Sequence, residues 1–376
     1  MNIYEIEKKY AASLEEISSY LYENPELPGK EYNSSRYLAD FMEKSGFKVT
    51  IPFCGLDTAF IAEYGEGPQL DFLAEYDALP GYGPEKKPAH TCGHNWIAAE
   101  TIGCALVVKD LIDSGAVKLK VRLVGTPAEE INAGKIPMVR QGVFGDTVLA
   151  MQSHLGTRTE CHKRLLALNK IKFIYEGKAS HAAAAPWDGI NALDAVNLLF
   201  AGVNAMRQQL KPDVRVHGIV SEGGQAPNII PEKASGYFFV RSSNRDYLDQ
   251  VIERVKDIAR GAALMTGTVM TMEEDPYPVD DYAVFEEGEA LAEKYLRAAG
   301  LPPEDSAYAS GSSGSSDIGN VSHACPTIFT EIGLKGFKAH EAAAADVVNN
   351  DEAKALIHKV VCLSVEMALD YLGIEL

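Results

Sequence analysis

The sequence predicts an α/β protein: a larger α/β/α domain interrupted by an inserted α+β domain of ferredoxin-like order. Three observations carry this. At 376 residues the chain exceeds the usual reach of one hydrophobic core. Helix-patterned and strand-patterned segments alternate over residues 1–165 and again over 276–376, as in a sheet covered by helices on its faces. Between 166 and 275 the order becomes βαββαβ, the split arrangement of a small α+β domain.

The elements follow in order. "MNIYEIEKKYAASLEEISSYL" places apolar residues at helical spacing among Lys and Glu and reads as an amphipathic helix. "SSRYLADFMEKSGFKVTI" is a helix stopped at Gly46 and followed by a strand, and "QLDFLAEYDAL" is a strand running into a Pro-Gly turn. "NWIAAETIGCALVVKDLIDSG" is a helix closed by Gly115, while "VKLKVRLVG" and "DTVLAMQSH" are strands. In the insert, "LALNKIKFIYEG", "VRVHGIVSEGG", "KASGYFFVRS" and "TVMTMEED" are strands. Helices over "DGINALDAVNLLFAGVNAMRQQL" and "NRDYLDQVIERVKDIARGAALMTG" complete it. The larger domain resumes with the helix in "DDYAVFEEGEALAEKYLRAAG", the strand "CPTIFTEIG" and the helix "NDEAKALIHKVVCLSVEMALDYL".

Composition narrows the function classes. The formal charge of −18 argues against a general nucleic-acid binder, which needs clustered Lys and Arg to replace counterions. No signal-peptide core opens the sequence, and no stretch is apolar and long enough to span a membrane. The expected location is the cytoplasm, with the six scattered cysteines reduced.

Candidate chemistry collects at the ends of predicted strands, where α/β sheets place their sites. In "AHTCGHNWIAAE", Cys92 is open to four readings: half of a disulfide, a nucleophile, a metal ligand or a buried thiol. In an extended segment Cys92 and His94 would point to one side, with Gly93 allowing a tight turn. Thiolate with imidazole suits zinc or a similar transition metal. Glu129 and Glu130 end the strand "VKLKVRLVG" in "VGTPAEEIN". Adjacent side chains diverge, so one can coordinate a metal while the other takes a proton from an activated water. The bland reading is a solvated acidic turn. His154 follows an apolar strand and His340 lies between a strand and a helix. As a set, Cys92, His94, Glu130, His154 and His340 are the donors that two metals sharing a bridging thiolate would use.

The segments "ENPELPGKEYNSSRYLADFMEKSGF", "EYDALPG", "HTCGHN", "TPAEE", "GKASHAAAAPWDGINAL", "GGQAPNIIP" and "GSSDIGNVS" occur in the order found in M20 metallopeptidases of the amidohydrolase type, which the chain resembles over nearly its whole length. Asn95 and the "SDIGNVS" loop resemble the branch with p-aminobenzoyl-glutamate hydrolase subunits and M20 domain-containing 2-like enzymes.

The resemblance implies a zinc-exopeptidase-like catalytic domain and a lid that also serves dimerisation. It implies two divalent ions, zinc or manganese first and cobalt or nickel next. Cys92 would bridge them, with His94, Glu130, His154 and His340 as the other ligands. Glu129 would be the general base and Asp77 the carboxylate orienting a ligand. His181 would polarise the scissile carbonyl across the dimer, and Asn228 and Arg241 would bind substrate, Arg241 through a carboxylate. The substrate implied is a small acyl-amino acid, aryl-glutamate or dipeptide, cleaved at an amide beside a free carboxylate. A homodimer or higher homo-oligomer is expected through the lid, and neither nucleic acid nor membrane as partner.

Departures fall around the pocket: Ile131 and Asn132 stand where many relatives have glycines, Leu155 and Gly156 follow His154, and "EAAAAD" follows His340. Alternatives are a strict dipeptidase or aminopeptidase of the same fold, a Cys92-nucleophile hydrolase, and a non-catalytic binding homologue. The second leaves the Glu pair and the distal histidines idle. Cys104 and Cys362 read as core thiols, and Cys161 and Cys325 receive no role. His90 reads as structural more readily than as a ligand, and His217 has no supporting pattern. Trp187 and the Ser/Gly loop at 310–316 either line the pocket or only pack and turn.

Overall fold

In the computed structural model, which describes residues 2–131, 133–304 and 314–376, α1 (Ile3–Glu7), α2 (Ala11–Glu23) and α3 (Tyr32–Lys44) lead into β1 (Lys48–Thr50), β2 (Phe60–Gly65) and β3 (Gln69–Ala74). Next come α4 (His94–Asp113), β4 (Lys120–Gly125), α5 (Lys135–Arg140) and β5 (Thr147–Gly156). The middle of the chain holds β6 (Ala167–Glu176), α6 (Ala192–Met206), β7 (Arg215–Glu222), β8 (Lys233–Ser242), α7 (Arg245–Thr266) and β9 (Val269–Glu274). It closes with α8 (Glu286–Ala298), α9 (Ile318–Ser322), β10 (Thr327–Gly333) and α10 (Asp351–Tyr371).

Among the described residues two compact units form, one of 2–163, 282–304 and 316–376, the other of 164–281 with 314–315. The return to the larger unit therefore comes after residue 281, not at 276 as the periodicity suggests. Residues 276–281 stay with the smaller unit through bonds that no periodicity encodes. Val279 pairs with Leu168 through both backbone groups (2.9 and 3.0 Å), and Asp281 accepts the Arg245 N–H at the start of α7 (2.7 Å).

The sheet of the larger unit runs β1-β2-β4-β3-β5-β10. β4, β3, β5 and β10 are parallel, and β1 and β2 form an antiparallel edge. β3 is buried along its whole length, as expected of a strand covered on both faces. It carries Asp71, whose carboxylate is met by Arg122 on β4 at 2.7 and 2.5 Å and by the Thr147 hydroxyl at 2.6 Å. Pairing and hydrogen bonding are what make so deep a charge tolerable. The strand ends at Ala74, so Glu75 and Asp77 leave the sheet at its carboxyl end and do not continue β3 toward Leu79.

The smaller unit has sheet order β7-β8-β6-β9, antiparallel throughout. This is the order the βαββαβ pattern requires of a ferredoxin-like domain. Phe173, Tyr175, Phe238 and Val240 of the sheet pack with Val196 and Leu199 of α6 and Val251 and Val255 of α7.

α4 explains how the site is anchored. It is apolar nearly all round and buried from His94 to Val108. A Cβ on its Gly103 would lie 2.6 Å from Val361 Cγ2 and 2.8 Å from Leu14 Cδ1, so glycine lets α2 and α10 close on it. The Asn95 amide donates to Ser18 Oγ (3.0 Å) and to the Val348 carbonyl (3.3 Å), and the Trp96 indole donates to the Ala353 carbonyl (2.8 Å). Asn95 thus fastens the start of the helix. None of the described helices is long and apolar enough to cross a membrane.

Glu100, buried inside α4, accepts from Ser364 Oγ (2.8 Å) and Cys104 Sγ (3.2 Å). Burial pushes its carboxyl up to about 7, against the pull of those two hydrogen bonds. A folded-state pKa above the unfolded value adds stability that is complete below the unfolded pKa and is lost as pH rises through the folded one. Glu100→Gln keeps an oxygen for Ser364 and removes the charge. It should therefore be neutral near pH 4 and stabilising by about 3 kcal/mol at pH 8, read from denaturant melts at both pH values.

Candidate metal centre

The five predicted donors converge in the larger unit. Ligand atoms of Cys92, His94 and His154 lie within 4.8 Å of one another, and so do those of Cys92, Glu130 and His340. Cys92 belongs to both groups. The Cys92–His94 approach comes from a turn and not from an extended segment: Gly93 takes φ +84°, and His94 is already the first residue of α4. A Cβ at Gly93 would also press on Leu155 Cδ1 at 3.0 Å. His340 holds φ +62°, a left-handed backbone that a non-glycine residue adopts at a cost. Its N–H donates to the Thr91 carbonyl (3.0 Å), which ties the His340 loop to the Cys92 turn.

His94 and His154 each have an acceptor beside Nδ1. His94 Nδ1 is 2.8 Å from Asp77 Oδ1, leaving Nε2 buried without a hydrogen-bond partner. His154 Nδ1 is 2.6 Å from the Leu155 carbonyl, so the lone pair is on Nε2, 3.5 Å from Cys92 Sγ. Glu130 Oε1 is a further buried atom without a hydrogen bond; His340 Nε2 is 3.2 Å away but not aligned to donate. Orphaned polar atoms are costly in a folded interior, and here they are the atoms a cation would use. Sulfur, imidazole and carboxylate donors in this number fit divalent transition metals.

The surroundings of Cys92 disfavour its thiolate when no cation is bound. Burial pushes the Cys92 thiol well above its usual range, with Glu130 and Glu129 adding to it against His94. A nucleophilic cysteine needs the opposite shift, whereas a cation at Sγ would ionise it. Burial alone would lower His94, but Asp77 and Cys92 outweigh it and raise the ring well above normal. His154 is lowered by burial first. Burial, then the carboxylates of Glu75 and Asp317, raises Glu129. His90 is lowered to about 3 by burial and then by His94, and it belongs to neither donor group.

Supporting residues surround the donors, and some were not read from the sequence. Asp77 Oδ2 accepts the Glu130 N–H (3.1 Å), so one carboxylate holds a member of each donor group. Glu31 accepts from the Ala128 N–H (2.9 Å), the Gly29 N–H (2.7 Å) and Thr58 Oγ1 (2.8 Å). It thereby pins the turn before Glu129, where Ala128 has φ +57°. Glu31 is itself raised to about 7, by burial and then by Asp77. Lys135, fully buried, bonds Glu75 and Asp317. Glu31, Glu75 and Asp317 lie inside the quoted motif segments; Lys135 has no local signal.

The remaining predicted residues lie in the smaller unit. His181 is exposed, with Nδ1 accepting from the Ala183 and Ala184 N–H groups (3.2 and 3.1 Å), which leaves Nε2 to donate outward. Asn228 is exposed and its carbonyl accepts the Ala182 N–H (3.0 Å). Arg241 donates Nη1 to Ser315 Oγ (3.2 Å), while its buried Nε lacks a partner. The His217 ring lies tilted at 55° to that of Phe239, with centroids 5.8 Å apart, and Trp187 is 77 % exposed. Asn132 and most of the Ser/Gly loop lie outside the described residues.

A mostly parallel α/β sheet with donor groups near its carboxyl end, in a chain interrupted by a ferredoxin-like unit, is the architecture of a zinc-exopeptidase-like fold. Residues 167–265 match the peptidase dimerisation domain of the M20 family. The chain is 35% identical over 341 residues to the Xaa-Arg dipeptidase of Mus musculus, covering 85% of this chain and 76% of that protein. It is 34% identical over 269 residues to one of the p-aminobenzoyl-glutamate hydrolase subunits of Escherichia coli K12, covering 68% of this chain and 56% of that protein. A Bacillus subtilis structure described as a dinuclear metal-binding M20 peptidase superposes with a TM-score of 0.75 at 21% identity, over 98% of this chain and 100% of that one. The chain belongs to the M20 peptidases and is a metal-dependent hydrolase of C–N bonds.

Because Asp77 meets the ring of one candidate donor and the backbone of another, Asp77→Asn should weaken zinc binding about 10- to 100-fold. Competition with a chromophoric chelator measures this without any substrate.

Proposed function

We propose that the protein hydrolyses the amide bond of a dipeptide or acyl-amino acid beside a free carboxylate, using two divalent ions with Glu129 as general base. The observation that carries this is the sharing of Cys92 between two donor groups, with Glu129 within 4.8 Å of His94 and Glu130. Cys92, His94 and His154 would hold one ion, Cys92, Glu130 and His340 the other. Zinc or manganese suits this mixed donor set best, with cobalt and nickel as substitutes. When bound, such ions acidify a water and polarise a carbonyl.

The chain's own residues supply the rest. Asp77 orients the His94 ring and the Glu130 backbone. Glu129 accepts the proton of the attacking water on its carboxylate and returns it to the leaving nitrogen. Arg241 would pair with the substrate carboxylate through its fork of donors, Asn228 would hold the substrate, and the outward Nε2–H of His181 would donate to the scissile carbonyl oxygen in the site of the other subunit of a dimer.

A dipeptide with a basic C-terminal residue heads the substrate classes, on the likeness to the Xaa-Arg dipeptidase. Aryl-glutamates and acyl-amino acids follow. Assembly as a homodimer through the smaller unit rests on the matched dimerisation domain. The free state of all six cysteines fits a reducing compartment such as the cytoplasm.

Glu129→Gln should bind zinc as the native chain does and lose about 1000-fold or more in kcat. Near-native turnover would remove Glu129 from the base role. A panel of alanyl-arginine, p-aminobenzoyl-glutamate and N-acetylcysteine, run after chelation with each metal restored in turn, tests the class. Alanyl-arginine should be cleaved fastest, and activity that survives chelation would overturn the metal-dependent mechanism.

A further inference from the structure

A second acidic group stands behind Glu129. Carboxylate oxygens of Glu75, Glu129 and Asp317 lie within 4.8 Å of one another, the spacing of a cation site. The chain fills it with its own cation. Lys135 Nζ is 2.5 Å from Glu75 Oε1 and 2.5 Å from Asp317 Oδ1, and the Lys135 backbone N–H donates to Asp317 Oδ2 (2.9 Å). Lys135, Glu75 and Asp317 are all buried. One residue is thus grasped at both its ends by Asp317, which leaves its ammonium little freedom.

The turn carrying Glu129 is folded onto this lysine. The Ala133 N–H donates to the Ala128 carbonyl (3.0 Å), and a Cβ on Gly134 would lie 2.0 Å from the Pro127 carbonyl oxygen. Only glycine permits that approach, which brings Lys135 back beside the turn it left. Glu75 closes the arrangement from the other side: its Oε2 has no hydrogen-bond partner and lies 3.5 Å from His94 Nε2. Three carboxylates gathered out of water would repel one another and separate unless a fixed positive charge lay among them.

We propose that Lys135 is a positioning residue whose buried ammonium, clamped by Glu75 and Asp317, holds the Glu129 carboxylate in place for proton transfer while touching none of the metal donors. This rests on the reading of Glu129 as the base. Burial alone would lower Lys135, but Asp317, Glu75 and Glu129 outweigh it and raise it above its usual range, in keeping with a permanent cation.

The test is a double-mutant cycle in the zinc-loaded enzyme, assayed on whichever panel substrate is cleaved fastest. Lys135→Met should lower kcat about 100-fold, the scale of a misplaced general base, with KM changed less than threefold; Lys135→Arg should recover part of the loss. In a Glu129→Gln background Lys135→Met should cost almost nothing further, because it acts through Glu129. An equal further loss in that background, or native kcat in Lys135→Met, overturns the proposal. If Glu129→Gln itself turns over normally, the base reading fails, and the cycle records that separately.

Should Lys135→Met fail to fold, Lys135→Met with Asp317→Asn restores the charge balance and is expected to show the same loss. Two readouts need no turnover. Zinc calorimetry on metal-free protein should give unchanged stoichiometry and affinity within threefold. A crystal structure of the charge-balanced variant should find the Glu129 carboxylate displaced, and a native position there overturns the proposal.

Discussion

The two oxygens of Asp77 are the constraint on which the centre depends. One meets the ring of His94 at the head of α4, the other the backbone of Glu130 after β4. His94 is the start of a helix and Glu130 follows a strand, and their donors fall in different groups around Cys92. A single carboxylate at the exit of β3 therefore sets the spacing between donor residues that the chain places far apart. Asp77 in turn relies on the burial of β3 and on the closeness of α4 to α2 and α10, which the absence of a side chain at Gly103 makes possible.

Around this hold the larger unit concentrates buried charge, and each charge has its answer. Asp71 is matched by Arg122 and Thr147, Glu31 by two backbone N–H groups and a threonine, and Glu75 and Asp317 by Lys135. The orphaned atoms in the donor set, on His94 and Glu130, face one another across the same small space. The unsatisfied atoms of His94 and Glu130 lie where a bound cation would satisfy them. That distribution also speaks against Cys92 as a nucleophile, since nothing near it lowers the thiol's pKa enough for attack.

Much of the fold is legible in the sequence because periodicity reports burial. The apolar α4 and the βαββαβ order of the insert both stand there as patterns. β2 escapes such a reading because "FIAEYG" is short and carries Glu63 within it. The return to the larger unit falls later than periodicity places it because Val279 and Asp281 are held by partners at 168 and 245. The donors are legible because each sits near the end of an apolar strand or helix, and the family motifs join them into a set. Lys135 is not. In "NAGKIPMV" it reads as a solvated lysine, and its burial is decided by Glu75, 60 residues earlier, and Asp317, 182 residues later. Charge pairing across such separations leaves no local trace.

The contact between Gly134 and the Pro127 carbonyl bears on how this enzyme can diversify. The stretch from Pro127 to Lys135 contains both a position with no room for a single added carbon and Ile131, which is 48% exposed. Rigidity and freedom are interleaved within one turn. Substitutions at Ile131 can reshape the surface beside the glutamate pair without disturbing the fold of this turn, while any side chain at 134 would disturb it at once. Lineages exploring new substrates therefore have a narrow path through this turn, open at 131 and closed at 134.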